Sequence, residues 1–221
     1  MSIILTQSAT RVRGTGEPSY SDLQEASMAL SKSGNLYVQD GAPKYQEMSR
    51  LGQLWAKTTD NVATIAAALP TTTAAHTFWN GNGVGGKSAV IISLSWTCLT
   101  TGAAADAFNF WLMVDRTADA TQAATADTAT AVSSLSGQGA YAGGIVSSHT
   151  VTVANHGWFT LGRHSDAFLT ATKSTTMSIP IDGMIIIRPT HALCVSIGGV
   201  GTTAAGECSL IWREVQLDMQ G

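Results

Sequence analysis

The sequence predicts an all-β chain: an antiparallel two-sheet sandwich of jelly-roll type with about eight to nine strands, preceded by an extended N-terminal arm. Three observations carry this. From Pro70 onward, apolar residues recur with period two in short runs, and clusters of Gly, Asn, Asp and Pro separate the runs. The runs are enriched in β-branched residues. They show hardly any helical period and no alternation of strands with helices, which excludes a parallel βαβ sheet.

The 221 residues suffice for one well-buried domain of about 150 to 200 residues and an appendage. Residues 1–69 read as the arm and 70–221 as the sandwich. The arm lacks sustained alternation and holds many of the charges, among them Arg11, Arg13, Glu17, Lys44, Glu47 and Arg50. Ser21 can cap a short helix in the stretch Tyr20–Leu30, where Leu23, Ala26 and Leu30 have compatible spacing. Arg11 and Arg13, with the amphipathic aromatics Tyr20, Tyr37, Tyr45 and Trp55, are the arm's candidate partner-binding residues, because such side chains dominate interface energetics.

In the sandwich, the first clear strand puts Val90, Ile92, Leu94, Trp96 and Cys98 on one face, with Ile91, Ser93, Ser95 and Thr97 on the other. A central strand follows, with Phe108, Phe110, Leu112 and Val114 alternating with Asn109, Trp111 and Met113. Residues 117–134, built from Ala, Thr and Asp, form a long loop in which a short helix is one option. Further runs cover 145–153, 157–162, 166–171, 176–181, 183–188, 191–197 and 207–217. Asp182-Gly183, between Ile181 and Met184, reads as a hairpin turn.

Composition narrows the function. Twelve Lys and Arg against fifteen Asp and Glu give a net charge of -3 and a pI near 5.9, so nothing here neutralises a phosphate backbone, and a nucleic-acid partner is not expected. Charged residues are only 12% of the chain, and Ala, Thr, Ser and Gly supply nearly half of it. Such a neutral, hydroxyl-rich surface suits packing against other proteins, since few long charged side chains must be desolvated. No apolar stretch reaches membrane-spanning length, so no membrane partner is expected. Cys98, Cys194 and Cys208 form neither a disulfide framework nor a zinc motif, although a Cys194–Cys208 bridge stays open.

Gly81 to Ser88 spell GNGVGGKS, a letter-for-letter phosphate-loop pattern, and the run FWLMVD from Phe110 to Asp115 imitates a magnesium-binding strand. A phosphate loop needs a helix behind it, whose amides and dipole hold the phosphates. Here the following residues, AVIISLSWTCL, alternate like a strand, so the motif reads as a glycine-rich turn with Lys87 as a solvated flank. Metal ligation has little support: no HxH pair exists, and a set of His149, His164 and Asp166 is the remote alternative to hydrogen bonding by scattered histidines. Asp106, Asp115, Asp119 and Asp127 read as a solvated rim, with a carboxylate pair for glycoside hydrolysis and weak loop calcium binding as the alternatives. There is no nucleophile elbow and no cysteine beside a histidine in a catalytic motif. The residues thus point to no enzyme, cofactor or metal. Trp96 reads as core, while Trp79 and Trp111 are candidates for an interface or a sugar-stacking platform, with Trp158 as a further glycan contact.

Four stretches, RLGQLWAKTT, ALPTTTAAHTFWNGNGVGGKSAVI, IPIDGMIIIRPTHALCVSIGG and CSLIWREVQL, resemble bacteriophage jelly-roll virion structural proteins of the head-decoration or capsid-surface type. The resemblance implies a subunit made in the host cytoplasm and carried on the capsid surface, with the major capsid protein or other virion proteins as partners. It also implies association as a homotrimer. A single jelly-roll major capsid subunit and a receptor- or carbohydrate-binding module are the alternatives.

Overall fold

The computed structural model describes residues 45–60, 62–100, 106–115, 127, 130–166, 176–199 and 204–216. The chain divides into two units, 1–43 and 44–221, and every described residue belongs to the second. Arg11, Arg13, Tyr20, Tyr37, the helix considered at Tyr20–Leu30, most of the 117–134 loop and most of the 166–171 run lie outside the described residues.

One short helix, α1 (Gln46–Arg50), precedes the strands. It ends on Gly52, whose φ of 64° is left-handed; Gly52 N–H donates to the Ser49 carbonyl and Gln53 N–H to the Met48 carbonyl, the paired bonds of a Schellman cap. Twelve strands follow among the described residues: β1 (Leu54–Thr58), β2 (Ala63–Thr64), β3 (Thr73–Asn80), β4 (Ser88–Thr100), β5 (Asp106–Val114), β6 (Val132–Ser133), β7 (Ile145–Thr152), β8 (Phe159–Asp166), β9 (Thr176–Pro180), β10 (Ile186–Ile187), β11 (Ala192–Gly198) and β12 (Ala205–Val215). Nine of them have five or more residues, and β2, β6 and β10 are two-residue additions; the apolar runs miss β1 and β3, and the expected 183–188 run holds only β10.

The strands form two antiparallel sheets. In one, β10 and β9 both pair with β4, which continues through β12 and β1 to β6, with β2 also on β12; the other runs β7-β3-β11-β5-β8. Setting β7 and the three short strands aside, the first strand pairs with the last (β1 with β12). The same nesting repeats inward: β3 with β11, β4 with β9, and β5 with β8. This is one long antiparallel hairpin rolled into two sheets, the jelly roll. Strand β7 is an extra edge strand beside β3.

The inner faces meet in a core that includes Trp96, Trp212, Phe78, Phe108, Phe110, Leu94, Leu112, Leu193 and Leu210. Both β5 faces match the sequence pattern, with Met113 and Trp111 on the side away from this core. Strand β4 departs from the pattern. Leu94, Trp96 and Cys98 point inward as expected, but Ala89 and Ile91, not Val90 and Ile92, continue that face. The cause is a bulge: β12 residues Ile211 and Trp212 oppose Ser93 and Ile91, so Ile92 is an extra residue and the alternation reverses across it.

The sandwich also starts earlier than Pro70. Residues 54–58, assigned by the sequence to the arm, lie along β12 from Arg213 to Ser209, and Trp55 is part of the core. A strand of five residues carries too little alternation to declare itself. Asp182-Gly183 does form a tight turn, with φ of 50° and 86° and the Met184 N–H donating to the Ile181 carbonyl at 3.0 Å. It makes no hairpin, however. Strands β9 and β10 both pair antiparallel with β4, so they are one edge strand that bulges outward between Pro180 and Ile186.

Cys98, Cys194 and Cys208 are buried thiols, none of them in a disulfide. Cys194 lies in the cluster outside the five-stranded sheet and Cys208 in the inter-sheet core, so the bridge considered between them is absent.

Candidate functional site

The GNGVGGKS stretch is the β3–β4 turn, and Ser88 opens a thirteen-residue strand, not a helix. Two asparagines build the turn. Asn80 donates its side-chain amide to the carbonyls of Lys87 (2.9 Å) and Ile187 (3.1 Å), and Asn82 donates to the Lys87 carbonyl at 3.0 Å. Gly86 N–H closes on the Gly83 carbonyl. The turn's carbonyls therefore face its own side chains, and no helix dipole stands behind them.

This turn forms one wall of a groove of about 480 Å³ at the end of the sandwich. The other walls are Gly52 and Gln53 beyond α1, residues 138–143, and Glu214 and Gln216 at the end of β12. Trp55 lines it from the core side. Tyr141 stands between groove and core, with its ring 4.8 Å from Trp55 and edge-on to Trp212 at 5.6 Å. Its hydroxyl donates to Glu214 Oε1 at 2.6 Å and accepts from the Ile145 N–H at 3.0 Å. Burial and the Glu214 bond push the phenol's pKa far up, so Tyr141 stays a neutral donor.

Glu214 Oε2 also lies 3.7 Å from Lys87 Nζ, so the groove's one anion and one cation offset each other. Amides complete the frame. Gln53 Oε1 accepts from Arg213 Nε at 3.0 Å, and Gln216 Nε2 donates to the Gly85 carbonyl at 2.6 Å. Two walls favour glycine: Gly52 has a left-handed φ of 64°, and a Cβ on Gly143 would collide with Glu214 Oε1 and the Tyr141 hydroxyl. Beyond the turn, the sequence signals for this site are Trp55 and Tyr141, a lone aromatic in the run SGQGAYAGG; Glu214 and the glutamines carry none.

A second polar cluster is buried at the sandwich edge between β7 and β1. His76 on β3 and His149 on β7 are cross-strand partners, and His149 Nδ1 sits 3.0 Å from Asp127 Oδ1. Asp127 is fixed by its N–H, which donates to the Ser147 carbonyl at 2.8 Å. Lys57 of β1 is only 6% exposed. Burial lowers its pKa against the opposing pull of Asp127 and Asp60. Fully buried His76 is lowered to about 4 by burial, only partly offset by Asp127 and the Gly206 backbone, and further lowered by the charge of His149.

The third feature lies outside the five-stranded sheet. Residues 153–158 link β7 to β8, strands at opposite edges, and so must cross β3, β11 and β5. Val153 joins Ala74, Val151, Ala192, Cys194 and Met113 in a small apolar cluster flanked by Trp79 and Trp158. His156 Nε2 meets Asp115 Oδ1 at 2.9 Å, and the His156 N–H meets Met113 Sδ at 3.2 Å.

These placements revise several expectations. Asp115 and Asp127 are buried and paired with histidines, not part of a solvated rim. His149 and the pair His164 and Asp166 stand on opposite edge strands, so they form no common site, and the described residues contain no metal-ligating cluster. Trp55 lies in the core, bordering the groove. Trp79 and Trp111 are half-buried on the sheet's outer side, Trp111 against Gly198 and Trp79 against Gly81. Tyr45 donates its hydroxyl to Asp182, tying the start of α1 to the β9–β10 bulge. No helix among the described residues is long and apolar enough to cross a membrane. No protein-family model and no curated protein matches the chain.

Proposed function

We propose that the chain is a non-enzymatic structural subunit of a bacteriophage virion, a decoration or capsid-surface protein that acts through protein–protein contacts as a homotrimer on the major capsid protein. The observation that carries this reading is the jelly roll combined with its surface. One end of the seven-stranded sheet leaves Val84 95%, Met184 71% and Leu51 47% exposed on a chain with little charge to keep them apart from neighbours. Val84 sits in the turn before β4, Met184 in the bulge opposite the first third of β4, and Leu51 just before β1, whose first residue pairs with Arg213.

The magnitudes require repetition. Fully burying one such side chain contributes about 1.5–3 kcal/mol, and association itself costs several. Three residues therefore give a weak contact, and only symmetric copies acting at high effective concentration make it persistent. The sequence resemblance supports the same assignment.

Immunogold labelling of particles from cells producing the chain tests it. Regular labelling of the head surface supports the reading, and full disruption-dependent labelling of a closed shell would instead favour the single jelly-roll major capsid subunit. Chain found only in the particle-free fraction overturns both.

A further inference from the structure

We infer that the groove between the β3–β4 turn, residues 138–143 and the end of β12 is a binding site for a neutral saccharide. Its size falls in the range of small-ligand sites, at about 480 Å³. Its chemistry is selective. Gln53 Nε2, Gln216 Oε1 and both side-chain amide atoms of Gln138 make no hydrogen bond to another described residue, while Gln53 Oε1 and Gln216 Nε2 hold the frame in place. The site thus offers donors and acceptors side by side, which match a sugar hydroxyl because that group is both at once.

Charge excludes the competing ligand that the turn's letters suggest. A phosphate approaching Lys87 would also meet Glu214, 3.7 Å from the ammonium, with no helix N-terminus to compensate. A neutral polyol has no such conflict. Tyr141, half-buried between groove and core, is the aromatic that the groove presents to the C–H side of a pyranose, and Trp55 backs it from the core. Tyr141 and Glu214, locked together at 2.6 Å, fix the floor so that little ordering is needed on binding.

The inference is independent of the particle assignment: a virion subunit without a sugar site and a sugar-binding chain outside any virion are both separable outcomes. The test is saturation-transfer NMR on the full chain with lactose, maltose, cellobiose and N,N′-diacetylchitobiose as probes, and with inorganic phosphate and ATP as competitors. At least one disaccharide is expected to give a saturable signal that phosphate and ATP leave unchanged. Gln138→Ala combined with Gln216→Ala should weaken it about tenfold, the loss of one or two hydrogen bonds, while Trp111→Ala leaves it intact. Both glutamines lie at the surface end of the site, and an unchanged thermal midpoint verifies the fold; Gln138→Glu is the second variant and should weaken binding likewise. No signal from any of the four sugars, a signal that survives the glutamine variants, or displacement by phosphate would overturn the inference.

Discussion

His76 is neutral in the fold at any pH where its free counterpart would be half charged. Burial holds its pKa near 4 against an ordinary 6.5. Between those values the unfolded chain binds the proton and the folded chain does not, so stability is full above about pH 6.5 and falls as the pH drops toward 4. The loss amounts to about 3 kcal/mol. Urea unfolding of the wild type and of His76→Gln at pH 7 and pH 4.5 isolates this contribution, because carboxylates titrate equally in both. The wild type is expected to lose stability more steeply; parallel losses would mean that His76 is not the proton acceptor. Nothing in the sequence marks His76 as buried. Its neighbours Asp127, His149 and the Gly206 backbone come from three other segments, and only their convergence distinguishes it from a surface histidine.

Elements were legible where alternation ran long. The β5 pattern gave both faces, and the alternation after Gly86 marked a strand where the letters alone suggested a nucleotide loop. It failed at single-residue defects: the extra Ile92 reverses the face of β4, and the Asp-Gly turn bulges one edge strand because its flanks both pair with β4. The crossover 153–158 was equally hidden, since strand order cannot be read from spacing. It is held by the His156–Asp115 contact and the cluster around Met113. Asp115→Asn weakens that contact to a neutral one, so amides of residues 153–158 are expected to exchange about tenfold faster. Those of β11 should keep their protection. Uniform acceleration across the sandwich would show that the pair supports the whole fold and not the crossover alone.

At the scale of the molecule, composition and strand count sufficed for a two-sheet sandwich, and nested pairing from β1–β12 to β5–β8 makes it a jelly roll. The groove was not legible, because Gln53, Gln138 and Gln216 are ordinary glutamines until three distant segments meet around the β3–β4 turn. In the proposed role the sandwich works by associating, through a weakly charged surface and the exposed end bearing Leu51, Val84 and Met184. Light scattering of the purified full chain, coupled to size exclusion over a range of concentrations, measures that association. The expected mass rises with concentration from 23.0 kDa toward three times that value, and Val84→Asp with Met184→Asp holds the chain at the monomer mass. A 23.0 kDa monomer at every concentration would contradict it.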